Sequence, residues 1–379
     1  MLRDTTLREG IQVPGSRISQ EQKQRFVSVL EEIGVGEIEI GLPDGMSACV
    51  ELSDYIRKQG YRIQATALVP CYGARWPSQV DLAALHGVRR IDILAPISDY
   101  LLKDRDHYGL GTGDILPRLQ QVISRARSTP LELGVGLIDA CRAPLERILA
   151  IGQPLGEMGV SRLVIYDSVG AMLPARMTPL VAEVLRRTGL PILVHCHNDY
   201  GLATANSLAA VEGGATAVDV AVNGVGGRAG NAALEEVALA LANLYGLGTG
   251  IDTTGLRQLS AVVEEMTGLK NTPLKPIVGD YCFAHVPVMH IRCVAGGNPS
   301  AFEPFGPAQV GAERTFDFSL PLDYEAALRP FAQKCGCAFD QAEVPALVAA
   351  IRRGSSARGC TEQQILQVLR DFKAEASNR

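Results

Sequence analysis

The sequence predicts an α/β fold: a (β/α)8 barrel followed by a mainly helical C-terminal subdomain. Two observations predict it. Eight short runs rich in β-branched residues recur through residues 1–250, and helix-like segments lie between them. After Gly250 the alternation stops, and Pro- and Gly-punctuated chain gives way to helical tail segments. A doubly wound open sheet is the alternative for the same alternation.

Taken in order, the first strand lies around Leu2. The first helix is the clearest. Ser19 and Gln22 form a capping-box pair, and Phe26, Val29, Leu30 and Ile33 repeat at i, i+3, i+4, i+7, which gives one buried face. Gly34 is placed to end it. The strand "EIEIGLP" (37–43) follows. Further strands are read at 62–69, 90–96, 131–138, 162–168, 191–197 and 217–223. Helices are read near 50–59, 80–86, 115–127, 143–158, 177–187 and 201–212, with another at 231–246 after the last strand. The spacing therefore assigns 1–255 to the barrel and 256–379 to the appended subdomain. There "IDTTGLRQLSAVVEEMTG" is helical, 272–313 reads as an irregular stretch, and the tail from about 322 reads as three short helices, the last capped by Thr361 with Ile365, Leu366 and Leu369 as its stripe.

Composition limits the function. The 379 residues are 47% hydrophobic and 20% charged, with net charge −5 and no basic cluster, which argues against nucleic acid as a partner. No apolar run reaches the roughly 18–20 residues of a membrane span. The opening "MLRDTTLREG" reads as a motif rather than a secretory leader. Nine scattered cysteines, with no C-x-x-C, fit small core residues in a reduced, cytoplasmic setting.

A barrel carries its chemistry at the C-terminal ends of its strands. Arg8 and Glu9 follow the first strand, Asp167 and Ser168 end the sixth, His195 and His197 end the seventh, and Asn223 and the loop to Asn231 follow the eighth. Two imidazoles at i, i+2 on a strand share a face. With a carboxylate and a carboxamide they make a mixed N/O set suited to Mg²⁺, Mn²⁺, Zn²⁺ or Fe²⁺. Spacing alone equally fits two hydrogen-bonded histidines at a polar barrel end. Cys196 faces away from this pair and reads as core. "KDRDH" (103–107) reads as a solvated loop, and "GVGGRA" (224–229) is misplaced for a dinucleotide site, which belongs after the first strand of a βαβ unit.

Three motifs, "RDTTLREG" (3–10), "HCHNDYGLATANSLAAVEGGA" (195–215) and "VNGVGGRAGNAALEE" (222–236), resemble the DRE-TIM metallolyase family of homocitrate, isopropylmalate and citramalate synthases and hydroxymethylglutaryl-CoA lyase. With "GIDTTGLRQLSAVVEE" (250–265) included, the chain looks most like homocitrate synthases of the nitrogenase type. The resemblance implies Glu9, His195, His197 and Asn231 as ligands of a divalent metal. It implies Arg8 as the guanidinium beside a developing enolate oxygen, and His290 of "FAHVPVMH" (283–290) as the catalytic histidine. Gln12, Ser168, His285 and Arg142 are the candidate substrate-binding residues; Arg142 equally fits simple pairing with an acid. The implied reaction is a Claisen condensation of acetyl-CoA, or another acyl-CoA, with a 2-oxo acid, giving a 2-hydroxy dicarboxylate and CoA, in a homodimer. The chain departs from the family pattern at Ile138, Gly227 and Phe302, where the family has glutamate, glutamate and tyrosine. Ile138 points to a less polar substrate than 2-oxoglutarate. A C–C bond lyase or aldolase of the same superfamily and a non-catalytic metabolite-binding homologue are the other readings.

Overall fold

The computed structural model describes residues 1–44, 49–320 and 323–377. Eight parallel strands close a barrel in chain order: β1 (Leu2–Asp4), β2 (Glu37–Glu39), β3 (Gln64–Pro70), β4 (Arg90–Pro96), β5 (Glu132–Ile138), β6 (Arg162–Asp167), β7 (Ile192–Cys196) and β8 (Ala217–Val220). Closure runs through β1, whose Arg3 lies beside Glu37 on one side and Asp219 on the other. The open-sheet alternative is thereby excluded. Ser19 and Gln22 make the reciprocal capping box at the start of the helix Gln20–Glu32, and Phe26 and Leu30 beneath it are fully buried. Beyond that helix Gly34 takes φ +87°, the left-handed conformation that ends a helix, and a Cβ there would lie 2.6 Å from the Gly250 carbonyl oxygen.

The barrel interior is unusual in its charge. Inward-facing Arg3, Glu37, Glu39, Asp92, Arg162 and Asp219 are all buried and joined as ion pairs. Arg3 spans Asp219 (Nε–Oδ1 2.6 Å, Nη2–Oδ2 2.8 Å) and Asp92, and Arg162 bridges Asp92 (2.9 Å) to Glu37 (2.8 Å). Buried charges persist only when paired and hydrogen-bonded, as these are. Room for them comes from Gly134 on β5, where a Cβ would fall 2.0 Å from Asp92 Oδ1. Two residues on, Gly136 admits the Tyr166 ring and the Leu94 side chain, which a Cβ would meet at 2.8 and 2.9 Å. Val164, Tyr166, Leu193 and Ala217 form the apolar part of the interior.

The chain divides into two compact units, residues 1–252 with 259–269, and residues 253–258 with 270–377. Most of the helix Leu256–Thr267, read in sequence as the start of the appended subdomain, thus groups with the barrel. Its Ser260 holds Asn223 through two hydrogen bonds, Nδ2 to the Ser260 carbonyl (3.0 Å) and Ser260 Oγ to Asn223 Oδ1 (2.6 Å). The second unit has a three-stranded sheet, β9 (Ala284–His285), β10 (Thr315–Phe316) and β11 (Cys360–Thr361), in the order β11-β10-β9. Helices Val288–Ala295, Tyr324–Cys335, Val344–Arg353 and Glu362–Ser377 pack around Phe316, Phe331, Leu347 and Ile365. Three of them are the tail helices read from sequence; the start read at 322 lies outside the described residues. The helix Val288–Ala295 falls where sequence suggested irregular chain, because flanking proline and glycine hid an eight-residue apolar turn.

Candidate active site

A short helix, Thr6–Gly10, follows β1 at once. Asp4 starts it, accepting hydrogen bonds from the Thr6 amide (3.0 Å) and hydroxyl (2.6 Å). The turn brings Arg8 and Glu9 over the C-terminal end of the barrel. From β7, His195 faces inward, whereas Cys196 faces out and is buried. His197 lies one step beyond the strand and bridges to Asn231 in antiparallel fashion. Close approach fixes the loop between β8 and Asn231: a Cβ on Gly226 would lie 2.0 Å from Asn231 Nδ2 and 3.0 Å from Glu9 Oε2.

Glu9, His195 and His197 are buried, and one ligand atom of each lies within 4.8 Å of the others. The two Glu9 oxygens differ in role. Oε2 accepts from Gln12 Nε2 (3.2 Å) and the Gly227 amide (3.3 Å). Oε1 faces the imidazoles, 3.4 Å from His195 Nε2 and 3.9 Å from His197 Nε2, and pairs with Arg8. Burial would raise the Glu9 carboxyl, but Arg8 and the two histidines hold it well below its usual range.

The second nitrogen of each imidazole is engaged from behind. His195 Nδ1 lies 3.0 Å from Asp219 Oδ2, and His197 Nδ1 lies 3.3 Å from the Gly230 carbonyl oxygen. A carbonyl only accepts, so His197 carries its proton on Nδ1 and leaves the Nε2 lone pair pointing at Glu9. Burial and neighbouring His195 push the His197 pKa down to about 4, so it is neutral at pH 7. For His195, burial works against the charged form, but the hydrogen bond with Asp219 and the nearby Glu9 carboxylate win and raise its pKa. His195 Nε2 and Asn231 Oδ1 are buried without a hydrogen-bond partner. A nitrogen lone pair and a carboxamide oxygen left open beside an ionised carboxylate fit a divalent cation.

Arg8 donates from Nε and Nη2 to Glu39 and from Nη1 to Glu9. A guanidinium has five N–H groups. Two of the Arg8 set stay open for a substrate oxygen. The other candidates are arranged as follows. Ser168 Oγ accepts the Asp139 amide (2.9 Å), which leaves its own proton to donate. Arg142 is taken up by Asp139 (Nε 2.8 Å, Nη2 2.6 Å) and lies 4.2 Å over the Tyr100 ring, so the acid-pairing alternative describes it. Asn223, grouped with the mouth in sequence, is turned onto Ser260 instead. Asp167 caps the amides of Ala171 and Met172. Ile138 ends β5, and the Asp139 beside it is buried in a left-handed turn (φ +61°). "KDRDH", read as a loop, contains the start of a short helix, Arg105–Tyr108, capped by Asp104.

In the second unit His285 Nε2 lies 2.9 Å from Glu303 Oε1, and Arg314 clamps that carboxylate through two 2.6 Å hydrogen bonds. His290 stacks on Phe302 at 3.8 Å between ring centres and lies 5.9 Å from His285. Burial and then His285 lower the His290 pKa, which leaves the ring neutral at pH 7.

Four residues at these sites escaped the sequence reading: Glu39, Tyr166, Asp219 and Glu303. Glu39 was within reach, since acids at the alternate positions 37 and 39 of a buried strand call for a partner inside. Tyr166 packs its ring 5.0 Å from His195. Burial and then Glu39 push its phenol well above the usual range, so it stays protonated.

The family model for HMGL-like proteins matches residues 1–263. Homocitrate synthase AksA of Methanopyrus kandleri is 36% identical over 311 residues, 82% of this chain and 77% of that protein. Homocitrate synthase 1 of Nostoc sp. is 36% identical over 83% of this chain and 81% of its own length. A 2-isopropylmalate synthase of Sulfolobus acidocaldarius is 36% identical over 81% and 78%. Among solved structures, hydroxymethylglutaryl-CoA lyase from Pseudomonas aeruginosa superposes with a TM-score of 0.62 at 23% identity, over 71% of this chain and 93% of that one. The fold is thus that of a TIM barrel with acid and histidine side chains at its C-terminal mouth. The chain belongs to the HMGL-like, or DRE-TIM, family, and its relatives at this level of identity are named as synthases.

Proposed function

We propose that the protein is a metal-dependent acyltransferase that condenses acetyl-CoA with a 2-oxo acid, after which water hydrolyses the thioester to give CoA and a 2-hydroxy dicarboxylate. The observation that carries this reading is the buried Glu9–His195–His197 group beside Arg8, with His195 Nε2 and Asn231 Oδ1 unpartnered. Its 36% identity to named homocitrate and isopropylmalate synthases supports the condensing direction.

Glu9, His195, His197 and Asn231 would hold the divalent ion. Bound there, it would act as a Lewis acid that polarises a carbonyl. The chain supplies the rest. Asp219 and the Gly230 carbonyl fix both imidazole rings. The free N–H groups of Arg8 meet the oxygen on which negative charge develops, in a site largely closed to water. Ser168, with Gln12 beside Glu9, positions the 2-oxo acid. His290, neutral at pH 7, takes the proton from the acetyl methyl group. We further assign the C-terminal unit, from residue 270 onward, to a lid and dimerisation role in a cytoplasmic homodimer, whose dimeric state light scattering tests. Ile138 and the paired state of Arg142 favour a 2-oxo acid less polar than 2-oxoglutarate.

The test is CoA release by the metal-loaded protein with acetyl-CoA and a panel of pyruvate, 2-oxoisovalerate, 2-oxoglutarate, glyoxylate and oxaloacetate, with product read by mass spectrometry. Turnover with one 2-oxo acid, lost in His195→Ala and Arg8→Ala, is the expected outcome. Silence across the panel with metal bound would overturn the condensation reading and leave C–C cleavage.

A further inference from the structure

The Tyr166 hydroxyl is buried and has no hydrogen-bond partner. Most groups of the barrel interior are satisfied: the acids accept from arginine, threonine or backbone, and the arginines donate to acids. An unpaired buried hydroxyl is destabilising relative to one with a well-placed partner. Phenylalanine would fill the same space over Gly136 without that cost. The position of the ring says where the hydroxyl reaches. Tyr166 faces inward on β6, paired with His195 on β7, and the two rings are 5.0 Å apart. Its hydroxyl interacts electrostatically with Glu39, Arg3, Asp219 and Arg8, which come from β2, β1, β8 and the helix after β1. The phenol thus lies inside the barrel beside His195, among the charged groups of the strands that flank it. At 6% exposed it is as closed off as His197 (8%) and Asn231 (3%). The Tyr166 hydroxyl, like His195 Nε2 and Asn231 Oδ1, is a buried polar group without a partner.

We propose that Tyr166 contacts substrate, donating a hydrogen bond from its hydroxyl to the 2-oxo acid oxygen that Arg8 also meets. The inference rests on the 2-oxo acid reading above and adds to it a second donor beside the guanidinium of Arg8. Two donors on one oxygen stabilise charge as it develops there, with no reorganisation at the moment of reaction. Tyr166 is the one tyrosine on the eight barrel strands among the described residues.

Tyr166→Phe in the full-length, Mn²⁺-loaded protein tests this. Three quantities are read: Mn²⁺ affinity, calorimetric binding of the panel 2-oxo acids without acetyl-CoA, and kcat with KM. Mn²⁺ affinity is expected to hold within about twofold, with the unfolding midpoint unchanged or higher. Affinity for the 2-oxo acid is expected to fall about tenfold, the scale of one lost hydrogen bond, and kcat by about 10²-fold. Wild-type 2-oxo acid affinity and kcat in the variant, with or without a higher midpoint, would overturn the tyrosine assignment alone. Failure of the wild type to bind any 2-oxo acid would instead overturn the functional reading, and this inference with it.

Discussion

Asp4 shows how one residue near the site is held at a cost. Burial pushes its carboxyl up to about 7, against the two hydrogen bonds from Thr6, with Asp219 and Glu39 adding repulsion. Because the folded pKa is above the unfolded one, folding takes up a proton between about 4 and 7. This group's contribution to stability is therefore greatest at the acid side of that window and is lost as pH rises through about 7. Urea unfolding of the wild type from pH 5 to 8 is expected to show this slope, and Asp4→Asn is expected to flatten it. The Asn side chain can still accept the Thr6 amide, so a variant with the same slope as wild type would remove Asp4 as its source. At this scale the sequence was most legible where residues sit in motifs. Arg8, Glu9, His195, His197 and Asn231 are close in sequence to others of their kind. Asp219 and Tyr166 were not legible as site residues, because closure of the barrel, and not local spacing, brings them to His195.

At the scale of elements, periodicity carried the reading. Each barrel strand is a short apolar or alternating run bounded by glycine, proline or a helix stripe, and every one formed within a few residues of its expected place. Short helices did not announce themselves. Thr6–Gly10 depends on an Asp4 side chain rather than on a stripe, and Val288–Ala295 is hidden between prolines and glycines. The strand β5 makes its own demand: glycine at 134 leaves the space into which Asp92 and Arg162 pair. Gly134→Ala is expected to destabilise the barrel by about 1–3 kcal/mol, since the added carbon must displace a buried ion pair. The shift in urea midpoint at unchanged m-value measures it. A change below a few tenths would mean that the interior pairs yield readily.

For the whole molecule, the division into two units makes a separable claim. Glu9, His195, His197 and Asn231 all belong to the unit formed by residues 1–252 and 259–269. His285, His290, Glu303 and Arg314 belong to the other. A chain ending at Leu269 is expected to keep a closed barrel and to bind Mn²⁺ with near-native affinity while losing CoA release. Circular dichroism and metal titration check the first half of that expectation, and the mass-spectrometric assay checks the second. The change of texture after Gly250 made two regions legible. It did not reveal that most of the helix Leu256–Thr267 groups with the barrel, because Ser260 is tied there by Asn223, a contact with no sequence signal.

The closure of the barrel through β1 also sets an order of events. Arg3 meets Asp219 across a separation of 216 residues, and Leu2 pairs with Val218. Glu9 rides on that first strand, while His195, His197 and Asn231 are made some 190 residues later or more. During synthesis at about 5–20 residues per second, the opening segment waits many seconds for its neighbours. Long-range pairings of this kind form late, after shorter loops have closed. No half-made chain can assemble the Glu9–histidine group, so ion capture would mark the moment at which the last strand docks against the first.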